Sequence, residues 1–378
     1  MKKLTPDDVV GIAGKASDMA ADKIRLAFSA RTSVFNRFTH EKERAMAYLK
    51  LAVAEKLVND GLLILGAPGL LIPREVKHVL RVCLISSIKT RVQNAKQQGG
   101  LVEKEAVHQI NQQDTDLTAW LNMSCERKDP WDPGLYDMVL PLDKITPEEA
   151  LKLIEQSSWK PAIQPTAVSK KVAQDFLLAS RVETALAREG HIVSVEADGD
   201  KVTITINRQV LMLSRLEEDL RSIAAKVQGV ASIQTKVGKQ FHQTDIYRKF
   251  DFQMPSKVLL VDDEREFVQT LSERLMMREM GSAVAYDGQS ALEMVNSDEP
   301  EVIILDLKMP GIDGIEVLRR VKETQPQIEV IILTGHGSEE DRKTCMGLGA
   351  FAYLNKPVDI DLLSKTLKEA YKKARGEE

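Results

Sequence analysis

The stretch Glu301-Val-Ile-Ile-Leu-Asp306-Leu-Lys308-Met-Pro310-Gly311 decides the fold of the last third of this chain. Its apolar run from Val302 to Leu305 is continuous rather than alternating, which is typical of a parallel strand buried on both faces. Proline and glycine punctuate the chain after it and predict a loop there. Asp306 therefore ends a buried strand, next to a loop.

Four further strands with the same character surround this one, and a helical segment separates each from the next. The predicted strands are Lys257–Val261, Ala283–Tyr286, Val302–Asp306, Glu329–Thr334 and Ala350–Leu354. Five repeats of strand and helix predict a doubly wound parallel sheet, in which ligands bind at the carboxyl ends of the strands.

Polar residues stand at these strand ends. Asp262 and Asp263 follow the first strand, Asp306 ends the third, Thr334 ends the fourth and Lys356 follows the fifth. Carboxylates that converge on one cleft repel one another unless a hard divalent cation lies among them, and Mg²⁺ is the natural one. Lys356 and Thr334 would contact phosphoryl oxygens, and Asp306 would be the nucleophile. The pattern predicts phosphoryl transfer to a side chain.

Residues 256–378 resemble a receiver domain of the two-component response regulators, which has the flavodoxin-like fold. The resemblance lies in Val-Asp262-Asp263-Glu, Leu-Asp306-Leu-Lys-Met-Pro-Gly, Leu-Thr334-Gly and Lys356-Pro357. It implies that the phosphohistidine of a sensor histidine kinase or phosphotransfer protein donates to Asp306. It also implies that Asp263, Asp306 and the backbone carbonyl of Lys308 hold Mg²⁺, with Asp262 bound to it through water. On phosphorylation, the resemblance implies that Thr334 moves toward the phosphoryl group and that Tyr353 rotates inward behind it.

The first block, residues 1–159, is predicted to be mostly helical, with buried strands at Gly61–Gly66 and His78–Leu84 in one small parallel sheet. Its stretch from Asn36 to Gln156 resembles the cytidylate-kinase-like family, chiefly in Asp129-Pro-Trp-Asp-Pro-Gly-Leu-Tyr136-Asp137. The phosphate-binding loop is missing, because its candidate, Gly11-Ile-Ala-Gly14-Lys15, has Val9 in place of the first glycine and Ala16 in place of the Ser or Thr that would bind magnesium. No strand is predicted before it, and a helix that starts at Thr5 would place Gly14 and Lys15 mid-helix or in a helix–helix turn.

The lid arginines expected in this family are also missing, since Asp114-Thr-Asp116-Leu-Thr-Ala stands in their place. Without a phosphate loop and lid arginines, phosphoryl transfer from ATP has no electrostatic support. We therefore expect a degenerate, non-catalytic kinase-like α/β domain. Arg81 and Arg91 are either remnants of a phosphate-binding surface or ordinary solvated charges.

Residues 168–238 read as helix, strand, strand, helix, strand, with Val202, Ile204 and Ile206 alternating with threonines in a half-buried strand. This small α+β module of αββαβ order resembles the BON-type domain, and we interpret it as an interaction domain. Residues 239–255 are predicted to be a linker to the receiver-like block.

Composition excludes several classes of protein. The 378 residues carry a net charge of −4, and the part from Ser256 onward holds 24 acidic and 16 basic residues, a balance of −8, so the part before it carries +4. Neither value indicates a polyanion-binding surface. The three cysteines form no CxxC pair, and the longest apolar run, Gly61–Pro73, is too short and too broken to span a bilayer. We expect a cytoplasmic protein without a membrane span that does not bind DNA.

The sequence thus predicts an α/β multidomain response regulator that accepts phosphate on Asp306 and switches non-DNA-binding amino-terminal modules. We expect no enzymatic activity beyond phosphorylation and dephosphorylation of the receiver. Two alternatives stay open, a nucleoside monophosphate kinase regulated by its receiver and a scaffold that needs no phosphate. A homodimer through the last helices of the receiver is a further open arrangement.

Overall fold

The structure is a computed structural model that describes residues 1–125, 127–210, 212–238, 241, 254–335 and 337–376. Its strands are β1 (Lys2–Leu4), β2 (Leu62–Ile64), β3 (Val82–Ile85), β4 (Met138–Pro141), β5 (Ser194–Asp198), β6 (Lys201–Ile206), β7 (Ser232–Val237), β8 (Val258–Val261), β9 (Ser282–Ala285), β10 (Val302–Leu305), β11 (Glu329–Thr334) and β12 (Ala352–Asn355).

The α-helices of the described residues are α1 (Pro6–Ala16), α2 (Ala21–Arg25), α3 (Asn36–Thr39), α4 (Glu41–Leu57), α5 (Ile88–Gly99), α6 (Glu103–Cys125), α7 (Pro147–Ser158), α8 (Ala167–Arg188), α9 (Leu213–Ala224), α10 (Arg265–Met276), α11 (Gly288–Asp298), α12 (Gly314–Thr324), α13 (Glu339–Gly347) and α14 (Ile360–Ala374). None of the helices in the described part of the chain is both long and apolar enough to cross a bilayer.

The chain forms two compact units. The first comprises residues 1–32 and 41–249, and the second comprises residues 33–40 and 250–378. The predicted boundaries at 159, 168 and 238 fall inside the first unit. The predicted linker lies mostly outside the described residues, which include only Phe241, Met254 and Pro255 of it.

In the first unit, the helix predicted to start at Thr5 is confirmed as α1. The Thr5 side chain accepts a hydrogen bond from the Asp8 backbone and the Asp8 carboxylate accepts one from the Thr5 backbone, which closes a capping box. The expectation that no strand precedes this helix is wrong. β1 lies there and pairs with β2 in parallel, Lys2 opposite Leu62. Its partner is 60 residues away in the chain, so no local pattern announces it.

The predicted single sheet of the first block is also wrong, because β1–β2 and β3–β4 form two separate parallel pairs. The Gly61–Gly66 run shrinks to β2, whose Leu63 is 45 % exposed instead of buried. The second predicted strand begins at Val82 rather than His78. Pairing with β4 begins at this point, because the Arg81 carbonyl accepts hydrogen bonds from the backbone N–H groups of Asp137 and Met138.

The αββαβ order of residues 168–238 is confirmed by α8, β5, β6, α9 and β7. β6 pairs antiparallel with β5 and parallel with β7. Val202, Ile204 and Ile206 of β6 are at most 1 % exposed and pack under the two helices, as their alternation predicts. The described part of α9 begins at Leu213; the predicted start, Leu211, lies outside the described residues.

In the second unit, all five predicted strands are present, within two residues of the predicted bounds at each end. They form one parallel sheet in the order β12-β11-β10-β8-β9. Consecutive residues of β8, such as Leu259 and Leu260, face opposite layers of the core. One layer contains α11 and α12, and the other contains α10 and α14. Helices on both faces of a parallel sheet make the doubly wound, flavodoxin-like fold.

Candidate functional site in the second unit

The carboxyl ends of four parallel strands bring the predicted site residues to one edge of the sheet. Asp262 follows β8, Asp306 follows β10, Thr334 is the last residue of β11 and Lys356 follows β12. The register holds these ends level, since the backbone N–H of Lys356 donates to the Thr334 carbonyl at 2.9 Å. The convergence predicted from the sequence is therefore present.

The ammonium group of Lys356 lies among three carboxylates. Its Nζ is 2.6 Å from Oδ2 of Asp262, 2.9 Å from Oε1 of Glu264 and 3.4 Å from Oδ2 of Asp306. The same ammonium lies 4.4 Å from the ring centroid of Phe267, a cation–π distance. Lys356 thus offsets the acidic charge of the site, and its position is fixed from several directions.

Burial and charge act on this cluster together. Asp262 is 4 % and Asp306 is 5 % exposed. Burial raises the pKa of Asp262, although the contact with Lys356 opposes that shift. For Lys356, burial would lower the pKa, but the hydrogen bonds to Asp262 and Glu264 outweigh it, so the pKa is raised. The amine stays protonated at neutral pH and can contact an anion.

Backbone groups hold Asp306 in place. Its Oδ1 accepts a hydrogen bond from the backbone N–H of Leu307 at 2.7 Å, which leaves Oδ2 directed toward Lys356. Gly314, at the start of α12, packs directly on the Asp306 carbonyl, and a Cβ at that position would overlap the carbonyl oxygen. Sequence reasoning missed Gly314, whose only signal was a glycine directly after the capping Asp313.

The donor set suits a hard divalent cation. One carboxylate oxygen each from Asp262, Glu264 and Asp306 lie within 4.8 Å of one another. Oxygen donors of this kind are those that Mg²⁺ prefers. Sequence reasoning did not single out Glu264, although the third acid of Val-Asp-Asp-Glu was its signal. Asp263 is exposed and is not part of this group of three, so its role as a ligand stays a prediction, as does that of the Lys308 carbonyl.

Thr334 and Tyr353 lie on neighbouring strands near this edge. Thr334 is 1 % exposed, and Tyr353 is half-buried and pairs in register with Ile332. The Tyr353 hydroxyl is buried and has no hydrogen-bond partner among the described residues. Burial raises the pKa of this phenol. The predicted switch roles of both residues stay predictions.

The arginines singled out in the first unit are engaged by protein groups. Arg91 makes two hydrogen bonds to the Asp114 carboxylate, at 2.6 and 2.8 Å. The guanidinium of Arg81 donates to the backbone carbonyl of Pro73 at 2.7 Å. The Asp116 carboxylate accepts from the backbone N–H of Ala30 at 2.7 Å. The contacts with Asp114 and Pro73 engage the two guanidinium groups that a phosphate would need, and the Asp116 carboxylate would repel one.

Two family models match separate parts of the chain. Residues 258–368 match the response regulator receiver domain, and residues 8–144 match the cytidylate kinase-like family. The first match coincides with the parallel sheet and its acidic edge. The carboxyl-terminal unit is therefore a response regulator receiver domain, and the kinase-like resemblance of the amino-terminal part is supported.

Curated relatives that are response regulators match about a third of the chain. The response regulator MprA of Mycolicibacterium vanbaalenii is 34 % identical over 110 residues, which are 29 % of this chain and 48 % of that protein. MprA of Mycobacterium bovis is 31 % identical over 125 residues, 33 % of this chain and 54 % of that protein. The chain spans about half the length of the curated relatives it matches.

Solved receiver domains match a similar share of the chain. A response regulator receiver domain protein of Clostridium thermocellum is 33 % identical, with a TM-score of 0.30, and the match covers 31 % of this chain and 95 % of that one. The receiver domain of NtrX from Brucella abortus is 28 % identical, with a TM-score of 0.29, and the match covers 30 % of this chain and 98 % of that one.

Proposed function

We propose that this protein is a two-component response regulator whose phosphate acceptor is Asp306. The observation that supports this most directly is the Lys356 ammonium among the carboxylates of Asp262, Glu264 and Asp306, at the strand ends of a receiver domain. A phosphate-independent scaffold would have no use for an amine held against two buried carboxylates, Asp262 and Asp306, and the exposed carboxylate of Glu264.

The proposed reaction is a displacement at phosphorus. Oδ2 of Asp306 attacks the phosphohistidine of a sensor histidine kinase or phosphotransfer protein, a P–O bond forms, the P–N bond breaks and the imidazole leaves with the electron pair. Lys356 is placed to pair with a phosphoryl oxygen, and the Thr334 hydroxyl would donate to another. The acyl phosphate remains on Asp306 until water hydrolyses it.

Mg²⁺, when bound, would offset the charge of the phosphoryl oxygens. We assign Asp306, Asp263 and the Lys308 carbonyl as its direct ligands, with Asp262 bound through water. The structure adds Glu264 as a carboxylate within reach. Because the Lys356 ammonium contacts the same carboxylates, it competes with a cation for them in the unphosphorylated protein.

We further propose that the output is a change in interactions of the amino-terminal modules and not DNA binding. The kinase-like residues 8–144 and the αββαβ module would bind a protein or small molecule, the latter module in the manner of a BON-type domain. Thr334 and Tyr353 would relay the phosphorylation, and pairing through α13 and α14 would give a phosphorylation-dependent homodimer. We also propose that the protein and its kinase partner meet in the cytoplasm.

Acetyl phosphate with Mg²⁺ tests the acceptor. Intact-mass spectrometry should find one acid-labile phosphoryl group on the wild type and none on Asp306→Asn. The exposed Asp361→Asn is the matched control and should label like the wild type, because its carboxylate contacts Arg278 at the side of the unit. Labelling of Asp306→Asn, or of neither protein, would refute the assignment and favour the scaffold.

A further inference from the structure

A short segment near the amino terminus belongs structurally to the receiver. Residues 33–40 group with the second unit, although residues 1–32 and 41–249, on both sides of them, group with the first. We call Ser33–His40 the receiver anchor. It contains α3 and runs directly into α4, which begins at Glu41 and carries ten buried residues of the first unit.

Phe35 of the receiver anchor is part of the receiver core. Its side chain is 0 % exposed and belongs to the buried cluster that contains Leu259 of β8, Ala283 of β9 and Val295 of α11. A buried phenylalanine removes a large apolar surface from water and fills space that its neighbours cannot reclaim. The core of the receiver is therefore incomplete without this residue.

Polar contacts hold the receiver anchor on both sides of Phe35. The backbone N–H of Val34 donates to Oδ1 of Asp298, the last residue of α11, at 3.2 Å. The Arg37 guanidinium donates to the backbone carbonyl of Ser282 at 3.2 Å. These contacts fix the segment against α11 and β9.

The Arg37 guanidinium gives a hydrogen-bond partner to the Ser282 carbonyl at the open edge of the sheet. β9 is an edge strand whose one neighbour in the sheet is β8, and the Gly281 carbonyl accepts from Val258 of β8. Successive carbonyls of a strand point to opposite sides, so the Ser282 carbonyl faces away from β8. Unpaired edge groups are sites of unwanted pairing, and Arg37 covers one of them.

Gly281 is shaped to receive the next aromatic residue. A Cβ at Gly281 would lie 2.5–2.6 Å from side-chain carbons of Phe38, closer than any normal contact. The Arg37 guanidinium lies 4.4 Å from the centroid of the Phe38 ring. The Phe38 side chain therefore fits closely against the receiver surface at Gly281.

We propose that the receiver anchor is a built-in ligand of the receiver, which completes its core and covers its β9 edge. The partner of this edge is the protein's own amino-terminal region. The chain leaves the first unit before Ser33 and returns to it at α4. None of the contacts that hold the receiver anchor involves Asp306.

Amide hydrogen exchange of the full-length chain, followed by mass spectrometry, tests this proposal. Phe35→Ala should speed exchange at least about tenfold in peptides that cover β9 and α11, because the lost core contacts lower the local opening free energy. Val34→Ala is the control, since the Val34 side chain is 39 % exposed, and it should exchange like the wild type. Unchanged exchange of β9 and α11 in Phe35→Ala would overturn the proposal.

A second comparison keeps the test independent of whether Phe35→Ala folds. Gly281→Ala should speed exchange of residues 33–40 by displacing Phe38, and this effect should shrink in the Phe38→Gly background, where both the ring and the Cβ that the new methyl group would meet are gone. The Gly281 Cβ would also approach the Ser256 carbonyl, at 2.8 Å, but that cost is the same in both backgrounds. An equal effect of Gly281→Ala in both would overturn the proposal.

Discussion

The hydroxyl of Tyr353 occupies the space into which a side chain at Gly337 would project. An added Cβ would overlap Oη of Tyr353 and would lie 2.9 Å from Cγ2 of Thr334. The absence of a side chain at Gly337 therefore leaves the room that the Tyr353 hydroxyl fills, and both proposed switch residues lie next to this glycine. This relationship lies in the loop between β11 and α13, which the resemblance to receivers did not single out.

Gly337→Ala should push Tyr353 toward solvent. Burial raises the pKa of Tyr353, and nitration by tetranitromethane requires the phenolate. Release of the ring should speed its nitration at pH 8 by at least about threefold, because one pKa unit changes the phenolate fraction about tenfold. Peptide mapping measures the rate. Gly347→Ala is the control and should leave the nitration rate unchanged, because its added Cβ meets nothing within 4 Å. Equal nitration rates in the wild type, Gly337→Ala and Gly347→Ala would show that the Tyr353 ring does not lie against Gly337.

Lys356→Met should raise the affinity for Mg²⁺ while it impairs phosphorylation. The ammonium contacts Asp262 and Asp306, and its removal frees both carboxylates for a cation, so we expect roughly threefold to tenfold tighter binding by calorimetry. Labelling by acetyl phosphate should fall in the same variant. Lys368→Met, on the surface of α14, serves as the control. Weaker Mg²⁺ binding by Lys356→Met would show that the ammonium does not compete with the cation for these carboxylates.

Two variants, Asp263→Asn and Glu264→Gln, test which of these residues supplies the third carboxylate of the proposed Mg²⁺ site, beside Asp262 and Asp306. Glu264 already contacts Lys356 and is largely exposed, so its loss should change the dissociation constant for Mg²⁺ by about twofold at most. Loss of a direct ligand at Asp263 should raise that constant about tenfold or more. Calorimetry at fixed ionic strength measures both. The reverse order would assign the ligand role to Glu264.

The sequence predicts the receiver closely because its elements depend on local patterns. β8, β10 and β11 are short buried runs between punctuating residues, and every residue in them is buried. Asp262, Asp306, Thr334 and Lys356 follow from them, since parallel strands end at one edge. Glu264 was not singled out, because its approach to Lys356 depends on side-chain geometry.

Pairing between distant segments is what local patterns cannot supply. β1 is three residues long and becomes a strand only through β2, and β4 likewise pairs with β3 across more than 50 residues. The receiver anchor shows the same difficulty, because the core that buries Phe35 lies more than 200 residues further along the chain. Two phenylalanines in a short stretch were its only signal.

The three cysteines should differ in reactivity at pH 8. All are free thiols, and Cys125 is exposed while Cys83 and Cys345 are buried. Burial raises the pKa of Cys345 to about 11 and also raises that of Cys83. A thiol with a pKa about 11 is only ~0.1 % thiolate at pH 8, and the thiolate is the nucleophile. Iodoacetamide should therefore label Cys125 alone in the native protein and all three after unfolding; prompt native labelling at Cys345 would contradict its burial.

The kinase-like region should release no ADP when the protein is mixed with ATP and CMP. β1 is joined to α1 by Thr5 alone, so no glycine loop stands where a phosphate would be held. The amino terminus of α1 carries Asp7 and Asp8, and the Asp8 carboxylate accepts the Thr5 N–H at 2.8 Å. These negative charges oppose a phosphate at a helix end that would otherwise attract one.

A coupled assay for ADP, with an active nucleoside monophosphate kinase as the positive control, measures this directly. The pairing of Arg91 with Asp114 supplies the matched variants. If the region were catalytic, Arg91→Ala would abolish turnover, whereas a structural ion pair predicts the same absence of ADP in Arg91→Ala, Asp114→Ala and the wild type. If the wild type released ADP and Arg91→Ala did not, the region would be catalytic. The protein would then be a nucleoside monophosphate kinase regulated by its receiver.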